Sequence, residues 1–138
     1  MAGERILIVE DDENVAQLVA FVLRREGFDP LVLRDGRAAE AHVAAEPPAA
    51  AVLLDVMLPY RDGFEVAAAM RADPRWKGVP VVALTARTLP ADLERARALG
   101  IAEVVPKPFH PRAVAARLRA VVDAASAAAL RDAERAAG

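Results

Sequence analysis

Side chains that could do chemistry stand at the ends of short apolar runs in this sequence. The clearest is Asp55, which directly follows six apolar residues at positions 49–54. A carboxylate in that place is either a turn residue or a reactive group held in a loop cleft. Three other apolar runs also end in polar side chains, which are the acids Glu10, Asp11 and Asp12, the hydroxyl of Thr85 and the ammonium of Lys107.

Carboxylates gathered at one point repel each other unless a cation joins them. Oxygen ligands suit Mg²⁺, which usually takes one or two carboxylates, keeps water and leaves room for phosphate oxygens. No histidine ends an apolar run, which argues against zinc or iron. Beside magnesium, the Asp55 carboxylate could act as a nucleophile and form an aspartyl phosphate. Lys107 could then supply a compact positive charge and Thr85 a hydrogen bond to a phosphoryl oxygen.

Each of these residues also has an ordinary structural explanation. The three acids could cap the following helix, since acids are favoured at helix N-termini. Asp55 alone could be a turn residue, and Thr85 alone could fill a strand. Lys107 alone could be a solvated charge, although it is one of only two lysines among 18 basic residues. The coincidence at four separate run ends favours chemistry.

The apolar runs alternate with longer amphipathic stretches, which predicts five strands that are each followed by a helix. We predict strands at 5–9, 29–34, 50–55, 79–86 and within 102–109, and helices at 14–27, 36–46, 63–72, 90–100 and from 111 to about 136. The connections are too long for hairpins, so the sheet should be parallel and doubly wound, with helices on both faces. Sites in such sheets lie beyond the carboxyl ends of the strands.

Helical spacing also predicts which side chains face the core. On the first helix these are Val15, Leu18, Val19, Val22 and Leu23, and on the last they are Val114, Leu118, Val121 and Ala125. Trp76 is expected to be a packing residue that covers a loop, and Phe109 an anchor for the last helix. Both histidines, His42 and His110, are expected at the surface.

Composition limits the function further. A chain of 138 residues with a net charge of −2 predicts one domain with no basic footprint for nucleic acid or an anionic membrane. The absence of cysteine excludes disulfides, cysteine-ligated zinc and a thiol nucleophile. No apolar run approaches the ~18 residues of a membrane span, and none resembles a signal peptide. We therefore expect a cytoplasmic protein.

The segments ILIVEDD, LLDVMLPYRDGFEV, VVALTA and KPF, in this order and spacing, resemble the receiver domain of two-component response regulators, including the chemotaxis-regulator type. The resemblance covers about residues 5–122. It implies a five-stranded parallel sheet in the flavodoxin-like order 2-1-3-4-5. It also implies a signalling switch rather than an enzyme, phosphorylated by a sensor histidine kinase, a phosphotransfer protein or a small phosphodonor. Its phosphorylation state would act on a downstream protein partner or an output domain.

The resemblance implies a role for each residue of the predicted site. Asp55 matches the phosphoacceptor, Thr85 the switch hydroxyl and Lys107 the lysine that pairs with the phosphate. Three further matches concern Mg²⁺, with Asp11 as the direct ligand, Glu10 as the acid that acts through water, and Met57 as the residue whose backbone carbonyl completes the metal shell. Asp12 is then an extra acid that caps the helix.

Four other positions bear on the same resemblance. Pro108 matches a proline whose peptide bond is typically cis. Met57 and Arg87 match positions that tune dephosphorylation. Val104 stands where the family usually has an aromatic residue that rotates inward on phosphorylation. A valine cannot make that rotation, so a reduced switch or a different output face is expected.

The C-terminal part of the sequence leaves alternatives open. We predict a receiver domain at 1–122 and an extension of the last helix at 123–138. The extension is either a helical tail or linker, or a helix that forms a homodimer or docks on a partner. No output module of ~60 residues follows it. The chain is therefore a stand-alone receiver, which its opening Met favours, or a fragment of a longer regulator that binds DNA through another domain.

Two other functions fit the sequence less well. A haloacid-dehalogenase-type phosphatase also uses an aspartate at a strand end with magnesium. It needs a second aspartate two residues later, however, where this chain has Met57. A nucleotide-binding Rossmann module needs G-x-G-x-x-G after the first strand, and the acids found there would repel a pyrophosphate.

Overall fold

A computed structural model describes residues 3–86 and 88–137. Within these residues, five strands and five helices alternate, as predicted. The strands are β1 (Arg5–Val9), β2 (Asp29–Leu33), β3 (Ala51–Asp55), β4 (Val81–Thr85) and β5 (Glu103–Pro106). The helices are α1 (Glu13–Arg25), α2 (Gly36–Ala45), α3 (Gly63–Ala72), α4 (Pro90–Ala98) and α5 (Pro111–Ala137).

The five strands pair in parallel in the order β2-β1-β3-β4-β5, which confirms the predicted sheet. The chain winds from β1 outward to β2, then crosses to β3 and continues in the opposite direction. The order therefore reverses between β1 and β3, where a doubly wound sheet has its ligand crevice. In register, Val9 lies opposite Leu54, and Asp55 lies opposite Leu84. The residues that follow β1 and β3 thus emerge side by side.

Both faces of the sheet are covered by helices. Ile6 and Ile8 of β1 pack on one face in a cluster that includes side chains of α1 and α5. Leu7 and Val9 point the other way, into a cluster with side chains of α2 and α3. On that second face, α4 packs through Ala96. Burial on both faces explains why the strands are continuous apolar runs rather than alternating ones.

The buried face of α1 is the predicted one except at Leu18. Val19 and Leu23 are buried, and Val15 and Val22 pack against the same core. Leu18 was expected in the core, but 52% of its surface is exposed, whereas Ala16 and Ala20 are fully buried. Alanine side chains let the helix axis lie close to the sheet, and this rotates the larger Leu18 outward. A pattern that counts only large apolar residues therefore misses the contribution of the two alanines and misplaces Leu18.

The core face of α5 includes Val114 and Leu118 as predicted, and it also includes two residues that the prediction left out, Ala115 and Val122. Its buried positions are Val114, Ala115, Leu118 and Val122. The predicted core positions Val121 and Ala125 are only half-buried. Beyond Val122 no described residue of α5 is buried, and Leu130 is 62% exposed. After Val122 this 27-residue helix runs along the domain surface, where Ala125, Ser126 and Ala129 line a groove with Gly78 and Pro80, and residues 130–137 are all exposed. None of the described helices is both long and apolar enough to cross a membrane.

Trp76 is completely buried, which confirms its role in packing. Its Nε1 donates a hydrogen bond to the carbonyl of Glu46 at 3.3 Å. The His42 ring meets the indole edge-on, with 5.9 Å between centroids, so His42 is half-buried rather than on the open surface. The Val79 N–H donates to the Trp76 carbonyl at 3.0 Å and closes a turn, so β4 begins at Val81 and not at residue 79 as predicted.

Candidate functional site

The buried polar side chains of the described chain all lie at the carboxyl edge of the sheet. They are Glu10, Asp55 and Thr85, which expose 1%, 2% and 3% of their surface. Burying an ionisable group costs free energy unless the group is paired or protonated. Their concentration at one edge, in a fold whose other buried side chains are apolar, marks this edge as the functional site.

Main-chain hydrogen bonds hold these residues in place beyond the strand ends. The Glu10 N–H donates to the carbonyl of Leu33 at 3.0 Å, so the residue after β1 is still bonded to β2. The Lys107 N–H donates to the Thr85 carbonyl at 2.9 Å, which ties the residue after β5 to the end of β4. The main-chain hydrogen bonds of the sheet therefore continue to Glu10 and Lys107 and restrain the backbone of both residues.

Three carboxylates meet at the switch point. One oxygen each from Glu10, Asp11 and Asp55 lies within 4.8 Å of the others. Glu10 and Asp55 are buried, whereas Asp11 is exposed. An all-oxygen donor set with one side open to water fits Mg²⁺, which keeps several waters and accepts phosphate oxygens. The residues that the structure brings together are the predicted carboxylate ligands.

Lys107 balances part of this negative charge. Its Nζ lies 2.8 Å from Asp55 Oδ2 and 3.2 Å from Glu10 Oε1. Burial on its own would lower the pKa of Lys107, but the hydrogen bonds and charges of Asp55 and Glu10 outweigh burial and raise the pKa. Lys107 therefore carries its positive charge at neutral pH. The peptide bond between Lys107 and Pro108 is cis, as the resemblance implies.

The carboxyl group of Glu10 has its pKa raised from 4.5 to about 7. Burial is the main cause because it disfavours the charged form, and the hydrogen bond and charge of Asp55 add to it. The Asp12 N–H, which donates to Glu10 Oε2 at 3.2 Å, and the ammonium of Lys107 act in the opposite direction. Without a metal, Glu10 thus holds a proton near neutral pH, at a place where a divalent cation would favour the carboxylate.

The loop after β3 holds the carboxylate of Asp55 from the other side. The Met57 N–H donates to Asp55 Oδ1 at 2.9 Å, while the Met57 side chain is 54% exposed. Gly63 packs against this loop, and its N–H donates to the carbonyl of Val56 at 2.9 Å. A Cβ at Gly63 would lie 2.5 Å from the Asp55 carbonyl oxygen, so no other residue allows this close approach.

Thr85 and Val104 line the same narrow gap between α4 and the sheet, together with Asp92 and Leu93. Thr85 lies at the end of β4. Val104, in β5, lies opposite Ala83 of β4. Thr85, the predicted switch residue, and Val104, which replaces the usual aromatic residue, therefore line one gap beneath α4. Val104 itself is half-buried.

The remaining sequence predictions fare differently. Asp12 is the N-cap of α1, where its carboxylate accepts hydrogen bonds from the N–H groups of Asn14 and Val15, so it is a cap as predicted. Arg87 lies outside the described residues. The sequence analysis missed Arg34, whose Nη2 donates to the Asp11 carbonyl at 3.1 Å. Its position directly after β2, the neighbour of β1, is the one signal that could have identified it.

Comparison with known proteins identifies the family of this site. The family model described as "Response regulator receiver domain" matches residues 6–119. The response regulator "DNA-binding response regulator MtrA" of Mycolicibacterium smegmatis is 44% identical over 117 residues, which are 85% of this chain and 50% of that protein. "Sensory transduction protein RegX3" of Mycobacterium tuberculosis is 43% identical over 117 residues, which again are 85% of this chain and 50% of that protein. This chain thus spans half the length of the curated relatives it matches.

Solved structures show the same fold. The receiver domain of the sensor histidine kinase PA1611 from Pseudomonas aeruginosa, which has a magnesium ion coordinated in its active site cleft, is 31% identical with a TM-score of 0.75. The match covers 88% of this chain and 99% of that one. The chemotaxis response regulator CheY4 of Vibrio cholerae is 28% identical with a TM-score of 0.80, over 86% and 98% of the two chains. The chain belongs to the receiver-domain family of two-component response regulators, whose members are signalling switches.

Proposed function

We propose that this chain accepts a phosphoryl group on Asp55 in a magnesium-dependent reaction. The observation that carries the proposal is the setting of the Asp55 carboxylate. Lys107 Nζ lies 2.8 Å from one oxygen, the Met57 N–H donates to the other, and two further carboxylates supply oxygen atoms within 4.8 Å. Such a group is held in one orientation and faces a cluster that suits a divalent cation.

In the proposed reaction, a carboxylate oxygen of Asp55 forms a bond to the phosphorus of the donor. The bond between phosphorus and the leaving group breaks, and the leaving group takes the electron pair. When bound, Mg²⁺ would offset negative charge on the carboxylates and on the transferring oxygens. Asp11, Glu10 and the backbone carbonyl of Met57 would hold it, Glu10 through water.

Two residues would act on the phosphoryl group after transfer. Lys107 would keep its contact with Asp55 and neutralise a phosphoryl oxygen, since it reaches the site from the side of β5. Thr85 would donate its hydroxyl to another oxygen and so couple the phosphorylated state to α4. That coupling shifts the population between two arrangements of one domain.

The partners follow from this chemistry. The phosphodonor would be a sensor histidine kinase, a phosphotransfer protein or a small acyl phosphate. The protein would act in the cytoplasm. The receiver would occupy residues 1–122, with residues 123–138 as an extension of α5. Its output would be a protein partner, a second copy, or an output domain outside this sequence, as in relatives that are named DNA-binding. The chain would catalyse no reaction beyond its own phosphorylation and dephosphorylation, and would not itself bind nucleic acid.

Intact-mass measurement after incubation with acetyl phosphate and Mg²⁺ tests the proposal. We expect one phosphoryl adduct, which disappears in Asp55→Asn or with a chelator. Asp62→Asn is the matched control, because Asp62 follows the same strand but serves as the N-cap of α3, a role that asparagine also fills. An adduct on Asp55→Asn, or none on folded protein with saturating Mg²⁺, would overturn the proposal.

A further inference from the structure

We infer that Arg34 is a positioning residue for magnesium, which holds the backbone of Asp11 so that the Asp11 carboxylate stays in the metal cluster. The inference rests on the proposed function, since it assigns a residue to the same site. Arg34 follows directly after β2 and stands outside the carboxylate cluster. Its contact is with the main chain of the loop that carries a ligand, and not with the ligand group itself.

The loop after β1 is held at both ends, and the peptide at its centre is held on its N–H side, where the Asp12 N–H donates to Glu10 Oε2 at 3.2 Å. Glu10 is buried and donates its N–H to the carbonyl of Leu33. Asp12 is fixed by its capping bonds to the first turn of α1. Asp11 lies between them and is exposed, so packing does not restrain it. Its carbonyl accepts a hydrogen bond from Arg34 Nη2 at 3.1 Å, which restrains the centre of the loop.

The two anchors of this loop come from neighbouring residues of one strand end. Leu33 bonds Glu10, and Arg34 bonds Asp11. Contacts between the β2 and β1 segments therefore continue past the end of β1. The main chain of Leu33 holds Glu10, and the side chain of Arg34 holds Asp11. The peptide between Asp11 and Asp12 is thus held at its N–H by Glu10 and at its carbonyl by Arg34. Without the guanidinium, the carbonyl side loses its restraint, so the peptide could tilt and carry the Asp11 carboxylate away from the oxygens of Glu10 and Asp55.

The charge of Arg34 and its hydrogen bond have opposite effects on Mg²⁺ affinity. The sign of the change in Kd when the guanidinium is removed therefore tests the inference. A positive charge near a cation site repels the cation, so its removal should tighten Mg²⁺ binding if charge were all that mattered. Loss of a restraint on a ligand should weaken binding, because the free energy of ordering Asp11 is then taken from the binding energy.

The experiment is calorimetric titration of the whole chain with Mg²⁺. We expect Arg34→Met, which keeps the length of the side chain but has no donor, to raise the Kd about fivefold, as for the loss of one hydrogen bond. Arg34→Lys, which retains a donor and the charge, should recover part of the affinity. Arg24→Met is the control, since Arg24 is exposed in the last turn of α1, and its Kd should equal that of the wild type.

A second readout separates positioning from chemistry. The Mg²⁺ concentration that gives half of the maximal Asp55 adduct should rise for Arg34→Met, while the adduct at saturating Mg²⁺ should match that of the wild type. An unchanged or tighter Kd for Arg34→Met would overturn the inference. Failure of the wild-type protein to bind Mg²⁺ or to form the adduct would instead overturn the proposed function.

Discussion

Lys107 and Asp55 form an ion pair across the mouth of the site, with 2.8 Å between Nζ and Oδ2. The pair is unequal, because the carboxylate of Asp55 is buried whereas the side chain of Lys107 is 27% exposed. Lys107 also contacts Glu10, so a single ammonium compensates two buried carboxyl groups. This shared contact has consequences for both stability and metal binding.

Lys107→Met should destabilise the metal-free protein. At pH 8 we expect a loss of about 2 kcal/mol, which is below the usual cost of breaking a fully buried ion pair because Lys107 reaches solvent. At pH 5 the loss should be smaller, since Glu10, with a pKa of about 7, is then protonated. Urea unfolding with a chelator at both pH values measures this difference. The matched control is Lys77→Met, because Lys77 is the other lysine and is exposed. An equal loss at pH 5 and pH 8 would show that Glu10 does not take up the proton.

Mg²⁺ binding should depend on pH through Glu10. The metal favours the carboxylate, while the metal-free site holds a proton with a pKa of about 7. We expect a constant Kd above about pH 8 and a Kd that rises toward tenfold per pH unit below about pH 6. Titration calorimetry across this range is the measurement. Glu10→Gln should bind Mg²⁺ more weakly at pH 8, with a much flatter profile, and a steep profile in that variant would assign the proton elsewhere.

The same shift affects folding with a definite sign. The pKa of Glu10 is raised on folding, so the folded chain binds this proton more tightly than the unfolded chain does. The resulting stabilisation is complete below pH 4.5 and is lost as the pH rises through about 7. Saturating Mg²⁺ should therefore stabilise the protein more at pH 8 than at pH 6, which thermal unfolding with and without the metal can measure.

Much of this site follows from the sequence because strands deliver residues in a regular way. Once residues 50–55 are recognised as a strand covered on both faces, Asp55 must stand at its carboxyl end. The same argument places Glu10, Thr85 and Lys107 at the ends of their strands. Parallel strands share one carboxyl edge, so the residues converge whatever the details of packing.

The features that were missed depend on side-chain direction. Leu18 is exposed because two alanines bring α1 close to the sheet, and the rotation of a helix about its axis is set by its neighbours. Arg34 bonds a main-chain carbonyl, so its residue type gives no sign of the contact, and only its position directly after β2 points to it. The raised pKa of Glu10 likewise depends on how deeply the site is buried.

Arg71 should contribute strongly to the stability of the fold. It donates hydrogen bonds to four carbonyl groups, at 2.8 to 3.2 Å, which belong to Lys77, Val79, Leu99 and Gly100. These bonds join the segment before β4 to the turn after α4. Arg71→Met should cost about 2 to 3 kcal/mol, since it leaves part-buried carbonyls unpaired. Urea unfolding measures the loss, and Arg24→Met, which removes an exposed arginine, should stay within about 0.5 kcal/mol of the wild type. Equal stabilities of the two variants would refute the assignment.

Gly63→Ala should damage the site and the fold together. The new Cβ would lie 2.5 Å from the Asp55 carbonyl oxygen and 2.8 Å from Val56 Cα, and both atoms belong to the backbone. We expect a loss of about 2 kcal/mol and a smaller phosphoryl adduct at subsaturating Mg²⁺, because the loop that orients Asp55 must move. Gly78→Ala is the matched control, since a Cβ there meets nothing within 4 Å. It should be neutral or stabilise the chain by about 0.5 kcal/mol through the unfolded state. Urea unfolding and intact mass measure both effects, and a Gly63→Ala protein as stable and as readily phosphorylated as Gly78→Ala would disprove the close contact.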